Sequence, residues 1–307
     1  MKIVFMGTPS FAVPSLEMLI ENKYNVCSVV TAPDMKKGRG LNVSISEVKE
    51  CSLKYNLKIL QPENLKDEKF ISEISEFSPD LIIVVAFRIL PKEVYSIPAL
   101  GSFNLHASLL PAYRGAAPIN HAVINGEKET GVTTFFLKEK VDTGNILLQK
   151  KVNIDINDDA GSLHDKLSLI GAECVLETVK LIESGSFIPF EQNELLSSPA
   201  PKIFKKDCKI DWNKDSVKIH NLVRGLSPYP SAYSILENRS VKIFKTKFSD
   251  LPASNSPGTV IIKDKKMLVS TGDNILEIEE LQFEGKKRIS AIDFINSSDK
   301  SKEYKFS

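Results

Sequence analysis

Asn104-Leu105-His106 closes a short run, residues 102–106, that reads as a strand. Side chains alternate along a strand, so Asn104 and His106 share one face while Phe103 and Leu105 take the other. An amide supplies a hydrogen-bond donor, and an imidazole supplies an acid, a base or a donor near neutral pH. Side by side, the two suit stabilisation of the oxyanion formed in acyl transfer. The plainer alternative is a polar pair that satisfies nearby backbone. A carboxylate stands at Val141-Asp142-Thr143-Gly144. Asp-Thr-Gly is an aspartic-protease signature, but that chemistry needs two carboxylates sharing a proton. No second Asp-Thr-Gly or Asp-Ser-Gly occurs. Two readings of Asp142 stay open: a loop aspartate forming an Asx turn before Gly144, or a carboxylate that meets His106 and orients it.

Lys36-Lys37-Gly38-Arg39-Gly40 concentrates three cations around two glycines. Such a loop attracts phosphates, although a solvated surface run is the ordinary explanation. The first strand-to-helix turn, Gly7-Thr8-Pro9-Ser10-Phe11-Ala12, has one glycine where a dinucleotide fingerprint needs three. Pro9 and Phe11 would also block close approach of a pyrophosphate, so nicotinamide or flavin binding is not expected. His121, His164 and His220 fall in helical patterns as core-edge or surface residues, and Trp212 reads as a packing anchor at a domain junction. Asp155, Asp158 and Asp159 suit a turn and a helix start. Cys27, Cys51, Cys174 and Cys208 are far apart, with no Cys-x-x-Cys, and the histidines form no His-x-x-x-His pair. No disulfide framework and no metal site are expected.

Strand-like runs at 2–6, 26–31, 58–60, 81–86 and 102–106 alternate with helical patterns at 11–20, 47–55, 69–77 and 91–96. That alternation predicts an α/β domain with a mostly parallel sheet, and such sheets place ligands at the carboxyl ends of their strands. The pattern then changes to a helix at 117–124 and strands at 132–137 and 146–152, followed by a long amphipathic helix over 162–183. Pro189, Pro199 and Pro201 mark 190–206 as a linker. Beyond it, a helix near 216–224 leads into short strands at 232–236, 241–244, 258–262, 267–270 and 275–281, with Asn238-Arg239 as one turn, which together suit a small β-barrel. The expected domains are therefore 1–189 and 207–307.

The 307 residues are 42% hydrophobic and 26% charged with a net charge of +1, an ordinary globular mixture that excludes a collagen, a coiled coil and a wholly disordered chain. Residues 1–189 carry 20 basic against 23 acidic side chains, and 190–307 carry 20 against 16. The mildly basic tail is compatible with an anionic partner. There is no secretory leader pattern and no long apolar run, so a cytoplasmic protein without a membrane segment is expected.

Asn104-Leu105-His106-Ala107-Ser108-Leu109-Leu110-Pro111, Tyr113-Arg114-Gly115-Ala116-Ala117-Pro118-Ile119, Glu129-Thr130-Gly131-Val132-Thr133 and Asp142-Thr143-Gly144 together resemble the folate-dependent formyltransferases, in particular the methionyl-tRNA formyltransferases. Phe5-Met6-Gly7-Thr8-Pro9, the loop from Pro33-Asp34 through Gly38-Arg39-Gly40, Ile210-Asp211-Trp212 and Arg224 with Pro228-Tyr229-Pro230 extend the likeness over essentially the whole chain. The resemblance implies a Rossmann-like formyltransferase domain that binds 10-formyltetrahydrofolate, then an OB-like barrel that helps hold tRNA. Asn104, His106 and Asp142 match the catalytic triplet. Ser108, Leu109, Leu110 and Pro111 match the folate-binding segment, and Arg39, with Lys36 and Lys37 beside it, matches the basic loop that meets tRNA. No metal is implied, and the expected partners are folate and charged initiator tRNA, with the enzyme a monomer. One departure stands out. The family has Ala-Tyr-Gly, three residues and Pro, whereas Ala86-Phe87-Arg88-Ile89-Leu90-Pro91 is one residue shorter in a loop expected near the pterin. An amino sugar nucleotide acceptor on the same fold, a formyl-folate hydrolase and a catalytically silent tRNA-binding protein are the competing readings.

Overall fold

The computed structural model describes residues 1–37, 42–253, 255–299 and 302–307. By internal contacts the chain divides into two units. The first contains Met1–Gly115, Glu129–Asn153 and His164–Ala200, and the second Ala116–Lys128, Ile154–Leu163 and Pro201–Ser307.

A seven-stranded sheet organises the first unit, in the order Ile146–Asn153, Glu129–Phe136, Ser102–His106, Leu81–Val85, Lys2–Gly7, Asn25–Val30, Ile59–Leu60. The five strands from Ser102–His106 onward are mutually parallel, and the other two are joined through antiparallel pairings. Continuous apolar runs explain the central strands: Leu81-Ile82-Ile83-Val84-Val85 is buried on both faces, as parallel strands covered by helices must be. One face packs Val4, Met6, Ile82 and Val84 against Phe70, Ile74 and Val94 from flanking helices. The helix Ala160–Ser184 covers Leu105: a Cβ added at Gly171 would lie 2.7 Å from its Cδ2. Leu105 therefore faces that helix, and Asn104 and His106 project from the opposite face of the strand.

The second unit is an antiparallel sheet in the order Ala232–Leu236, Arg239–Pro252, Asn274–Phe283, Lys266–Ser270, Thr259–Lys263, Tyr304–Lys305. A Leu236–Phe306 bridge and reciprocal backbone bonds between Ile235 and Ser307 bring the last strand back to the first, nearly closing a barrel. Trp212 lies in this unit's core, stacked on Phe306 with centroids 5.2 Å apart and donating from Nε1 to Ser234 Oγ. The leading helix Ser216–Leu226 packs on Pro118–Ile124, where Asn120 Nδ2 donates to the Gly225 carbonyl at 2.8 Å.

Several sequence expectations shift. The helix at 117–124 and residues 154–163 belong with the barrel, because their contacts are with Ser216–Leu226 and the loop after it. The expected linker 190–206 is split: Phe190 pairs with Ile146, and Pro199–Ala200 pairs with Arg114–Gly115, so the stretch to Ala200 is part of the first unit. The first barrel hairpin turns at Glu237-Asn238, both with positive φ (48° and 62°), one residue earlier than Asn238-Arg239. Its second strand runs over Arg239–Pro252, far beyond 241–244. Sequence patterning also missed the closing helix Ala291–Ser297, which starts at a reciprocal Ser290–Asp293 capping box.

Candidate active site

The strand Ser102–His106 holds Asn104 opposite Val84 on one side and Phe135 on the other. Its register carries His106 to the carboxyl edge of the parallel sheet. Asn104 is half-buried, and its amide makes no hydrogen bond among the described residues. His106 is only 7% exposed. Its Nε2 lies 2.9 Å from the Tyr113 carbonyl, which can only accept, so Nε2 carries a proton. Nδ1 faces Asp142, with Oδ2 at 3.9 Å. That separation exceeds a hydrogen bond and leaves the carboxylate as the charged group beside Nδ1. Asn104 and His106 thus share one face of the strand, and the Asp142 carboxylate lies beside the His106 ring.

Asp142 reaches this position through an unusual backbone. Its φ is 56°, the left-handed region that a non-glycine residue seldom occupies. Its Oδ2 accepts from the Gly115 N–H at 3.0 Å. Gly115 itself has φ 126°, and a Cβ there would meet the Ala200 carbonyl at 2.6 Å, so a side chain is excluded twice over. Gly144 is pressed on the Phe136 carbonyl, where a Cβ would sit 1.5 Å away. One further side chain binds this loop, and Arg114 backs it. Gln192 Nε2 donates to the carbonyls of Asp142 and Gly144, at 2.9 and 2.8 Å. Gln192 Oε1 accepts from Arg114 Nε and one terminal nitrogen, at 3.1 and 2.6 Å. Arg114 also pairs with Glu194 and holds that carboxyl below its usual value.

The segment Ser108–Pro111 follows His106 as a tightly bonded loop. Ser108 Oγ donates to the Ala112 carbonyl, Thr133 Oγ1 donates to the Ser108 carbonyl, and the Leu110 N–H donates to Thr133 Oγ1. Gln149 donates to the Leu110 carbonyl. Ser108 and Leu110 are buried, Leu110 against Phe135 and Ile146, so Leu109 and Pro111 are the members with partly open side chains. In the shortened loop after Leu81–Val85, Ala86 has φ 49° and Ile89 is exposed. Arg88 clamps this loop by donating to the carbonyls of Pro62 and Glu63. Of the basic loop, Lys36 and Lys37 end a strand, Met35–Lys37, paired with Asn42–Ser44. Arg39 lies outside the described residues. Among the described residues no cluster of His, Cys, Asp and Glu could hold a metal, and no helix is long and apolar enough to cross a membrane.

Sequence reasoning missed Gln149 and Gln192, and gave Tyr113 and Thr133 no role beyond the family-like stretches that contain them. Tyr113 acts through its carbonyl, which no side-chain pattern reveals. Arg114 and Gly115 were visible only as part of the family-like Tyr113–Ile119 stretch, without a role.

The formyl transferase family matches residues 1–179, and its C-terminal domain matches residues 202–299. A methionyl-tRNA formyltransferase from Clostridioides difficile is 48% identical over 300 residues, 97% of each chain. Another, from Flavobacterium johnsoniae, is 46% identical over 313 residues, 99% of each chain. Among solved structures, WlaRD, a sugar 3N-formyl transferase studied with dTDP and 5-N-formyl-THF, overlays with a TM-score of 0.67 at 24% identity, over 94% of this chain and 99% of its own. HypX from Aquifex aeolicus in complex with tetrahydrofolic acid overlays with a TM-score of 0.67 at 18% identity, over 99% of this chain and 50% of its own. At those identities the overlays establish the shared fold. With the family matched over both parts of the sequence and its relatives aligned end to end, the chain belongs to the formyl transferase family.

Proposed function

We propose that this chain transfers the formyl group of 10-formyltetrahydrofolate to the α-amino group of methionyl initiator tRNA, giving formylmethionyl-tRNA for translation initiation. The observation that carries the reading is the convergence of Asn104, His106 and Asp142, with the carboxylate 3.9 Å from His106 Nδ1. End-to-end likeness to methionyl-tRNA formyltransferases supports the choice of acceptor.

The chemistry asks for three things. The formyl oxygen becomes negative as the amine adds to the formyl carbon, and the free amide of Asn104 is a donor placed to meet it. The attacking nitrogen must lose a proton as the new C–N bond forms, while folate N10 must gain one as the old bond breaks. His106 Nδ1 is the ring atom left to take up and return that proton, since Nε2 is engaged by Tyr113. Asp142 stabilises the charged ring between those events, and Nδ1–H of that ring is a second donor. Folate would lie along Ser108, Leu109, Leu110 and Pro111, whose bonds to Thr133 and Gln149 keep the loop rigid, with Leu109 and Pro111 as its open side chains. Lys36, Lys37 and Arg39 would take tRNA phosphates together with the barrel, and the enzyme would work as a monomer in the cytoplasm.

The deciding experiment offers formyl-folate together with charged initiator tRNA, uncharged tRNA, an amino sugar nucleotide and water alone. Formylation of the charged tRNA is expected. Preference for the amino sugar, or release of formate without an acceptor, overturns the reading. Arg39→Ala should weaken tRNA binding and flatten its dependence on salt, because a phosphate no longer neutralised by the protein keeps its counterions. Folate affinity should stay at the wild-type value.

A further inference from the structure

Gln192 sits in a coil that was expected to be a linker, yet its side chain grips the Asp142 turn at two points. Its amide has one possible orientation. Two carbonyls face Nε2 and a guanidinium faces Oε1, so both N–H groups donate and the oxygen accepts twice. The carbonyls belong to Asp142 and Gly144, the two residues that bracket Thr143 in the turn. The guanidinium belongs to Arg114, whose neighbour Gly115 holds the Asp142 carboxylate. Gln192 therefore joins the loop that carries the carboxylate to the loop that presents the Tyr113 carbonyl to His106. These two connections fix where Asp142 and His106 stand. Aspartate tolerates the left-handed region in turns, and Gln192 supplies two of the contacts that hold this turn in place.

We propose that Gln192 is a positioning residue of the reaction, holding the Asp142 turn so that its carboxylate stays against His106 Nδ1. The inference rests on the catalytic roles proposed for Asp142 and His106. No other side chain of this length both donates twice and accepts. Glutamate keeps an acceptor for Arg114 but turns an anionic oxygen toward two carbonyl oxygens. Methionine keeps the length and offers neither.

Gln192→Glu should lower kcat for formyl transfer about 10- to 10²-fold, the scale of misplacing a catalytic group by about an ångström. The KM values for formyl-folate and charged tRNA should stay within about twofold. Gln192→Met should fall between this variant and wild type, because it leaves the carbonyls without a partner but adds no repulsion. A double-mutant cycle separates positioning from general support. On an Asp142→Asn background Gln192→Glu should cost less than about threefold, since the carboxylate it positions is already gone. Equal losses on both backgrounds overturn the proposal. A second measurement does not depend on the acceptor. The His106 ring resonances, followed by NMR across pH, should change in Gln192→Glu and Gln192→Met in the same sense as in Asp142→Asn. Wild-type resonances in both Gln192 variants also overturn it. If wild type formylates something other than charged tRNA, the acceptor assignment fails, while the resonance comparison still decides for or against Gln192.

Discussion

Each unit buries one histidine of nearly equal exposure, His106 at 7% and His220 at 8%, and the two are built for opposite ends. His220 lies on the helix Ser216–Leu226, its Nδ1 2.9 Å from Thr246 Oγ1 and its ring 4.5 Å from that of Phe248. Burial, reinforced by the nearby Arg224 guanidinium, pushes its pKa down to about 4. Its Nε2 has no hydrogen-bond partner of good geometry, and the Ile156 backbone offers only a weak pull the other way. His220 is a neutral ring held as packing. His106 has a carboxylate where His220 has a guanidinium, and one ring nitrogen directed at it. Burial is the main cause of the depression at His220 and the guanidinium beside it adds to it, whereas the charged group beside His106 is a carboxylate.

The contrast breaks most visibly at the triplet. Asn104→Ala, His106→Ala and Asp142→Ala should each lower single-turnover formyl transfer about 10²–10³-fold, with folate and tRNA affinity much less affected. A His106→Ala enzyme that retains more than about a tenth of wild-type turnover at saturating substrates would remove the asymmetry between the two rings.

A smaller effect belongs to His220 and appears in stability rather than activity. The unfolded chain binds this proton below about pH 6.5, but the folded protein binds it only near pH 4. The unfolded state thus holds the extra proton between those values, and folding weakens as pH falls through that window. The contribution amounts to about 3 kcal/mol at its full extent. His220→Asn should narrow the difference in urea unfolding free energy between pH 7 and pH 4.5. An unchanged difference would mean that the ring is protonated in the folded protein. Smallest is Thr246→Val, which leaves Nδ1 buried without its hydroxyl and should cost about 1–2 kcal/mol. Formyl transfer should be untouched, because Thr246 belongs to the packing histidine.

What could be read from sequence follows the range of the interaction. Asn104 and His106 were legible because strand alternation is local and the runs beside them are apolar. Asp142 was legible as a candidate with a partnership to His106 as one of two open readings, since its approach to the ring depends on a left-handed turn and a hydrogen bond from Gly115. Gln192 was not legible at all. It is a polar residue in proline-containing coil, and its partners lie 48 to 78 positions away in the chain. Leu110 shows a subtler limit. The segment matched a folate-binding pattern, yet this side chain is buried against Phe135 and Ile146, so Leu110→Asp would disturb packing before it reported on any ligand. Residues 1–189 likewise looked self-sufficient. The helix Pro118–Ile124 has an amphipathic pattern that says it must be covered without saying by what, and its cover is Ser216–Leu226. A chain cut near Pro199 would strip that partner away rather than isolate a finished domain.

The interleaving of the two units also has a consequence for biosynthesis. The chain passes from one unit to the other after residues 115, 128, 153, 163 and 200. Ala122 and Val123 are fully buried in the finished protein, but the helix that covers their segment is translated roughly a hundred residues later. At ordinary rates of elongation that delay is about 5–20 s. For that interval the nascent polypeptide carries an amphipathic helix with nowhere to dock, and the segment 154–163 joins it before the barrel exists. An enzyme of translation would thus itself be a demanding product of it.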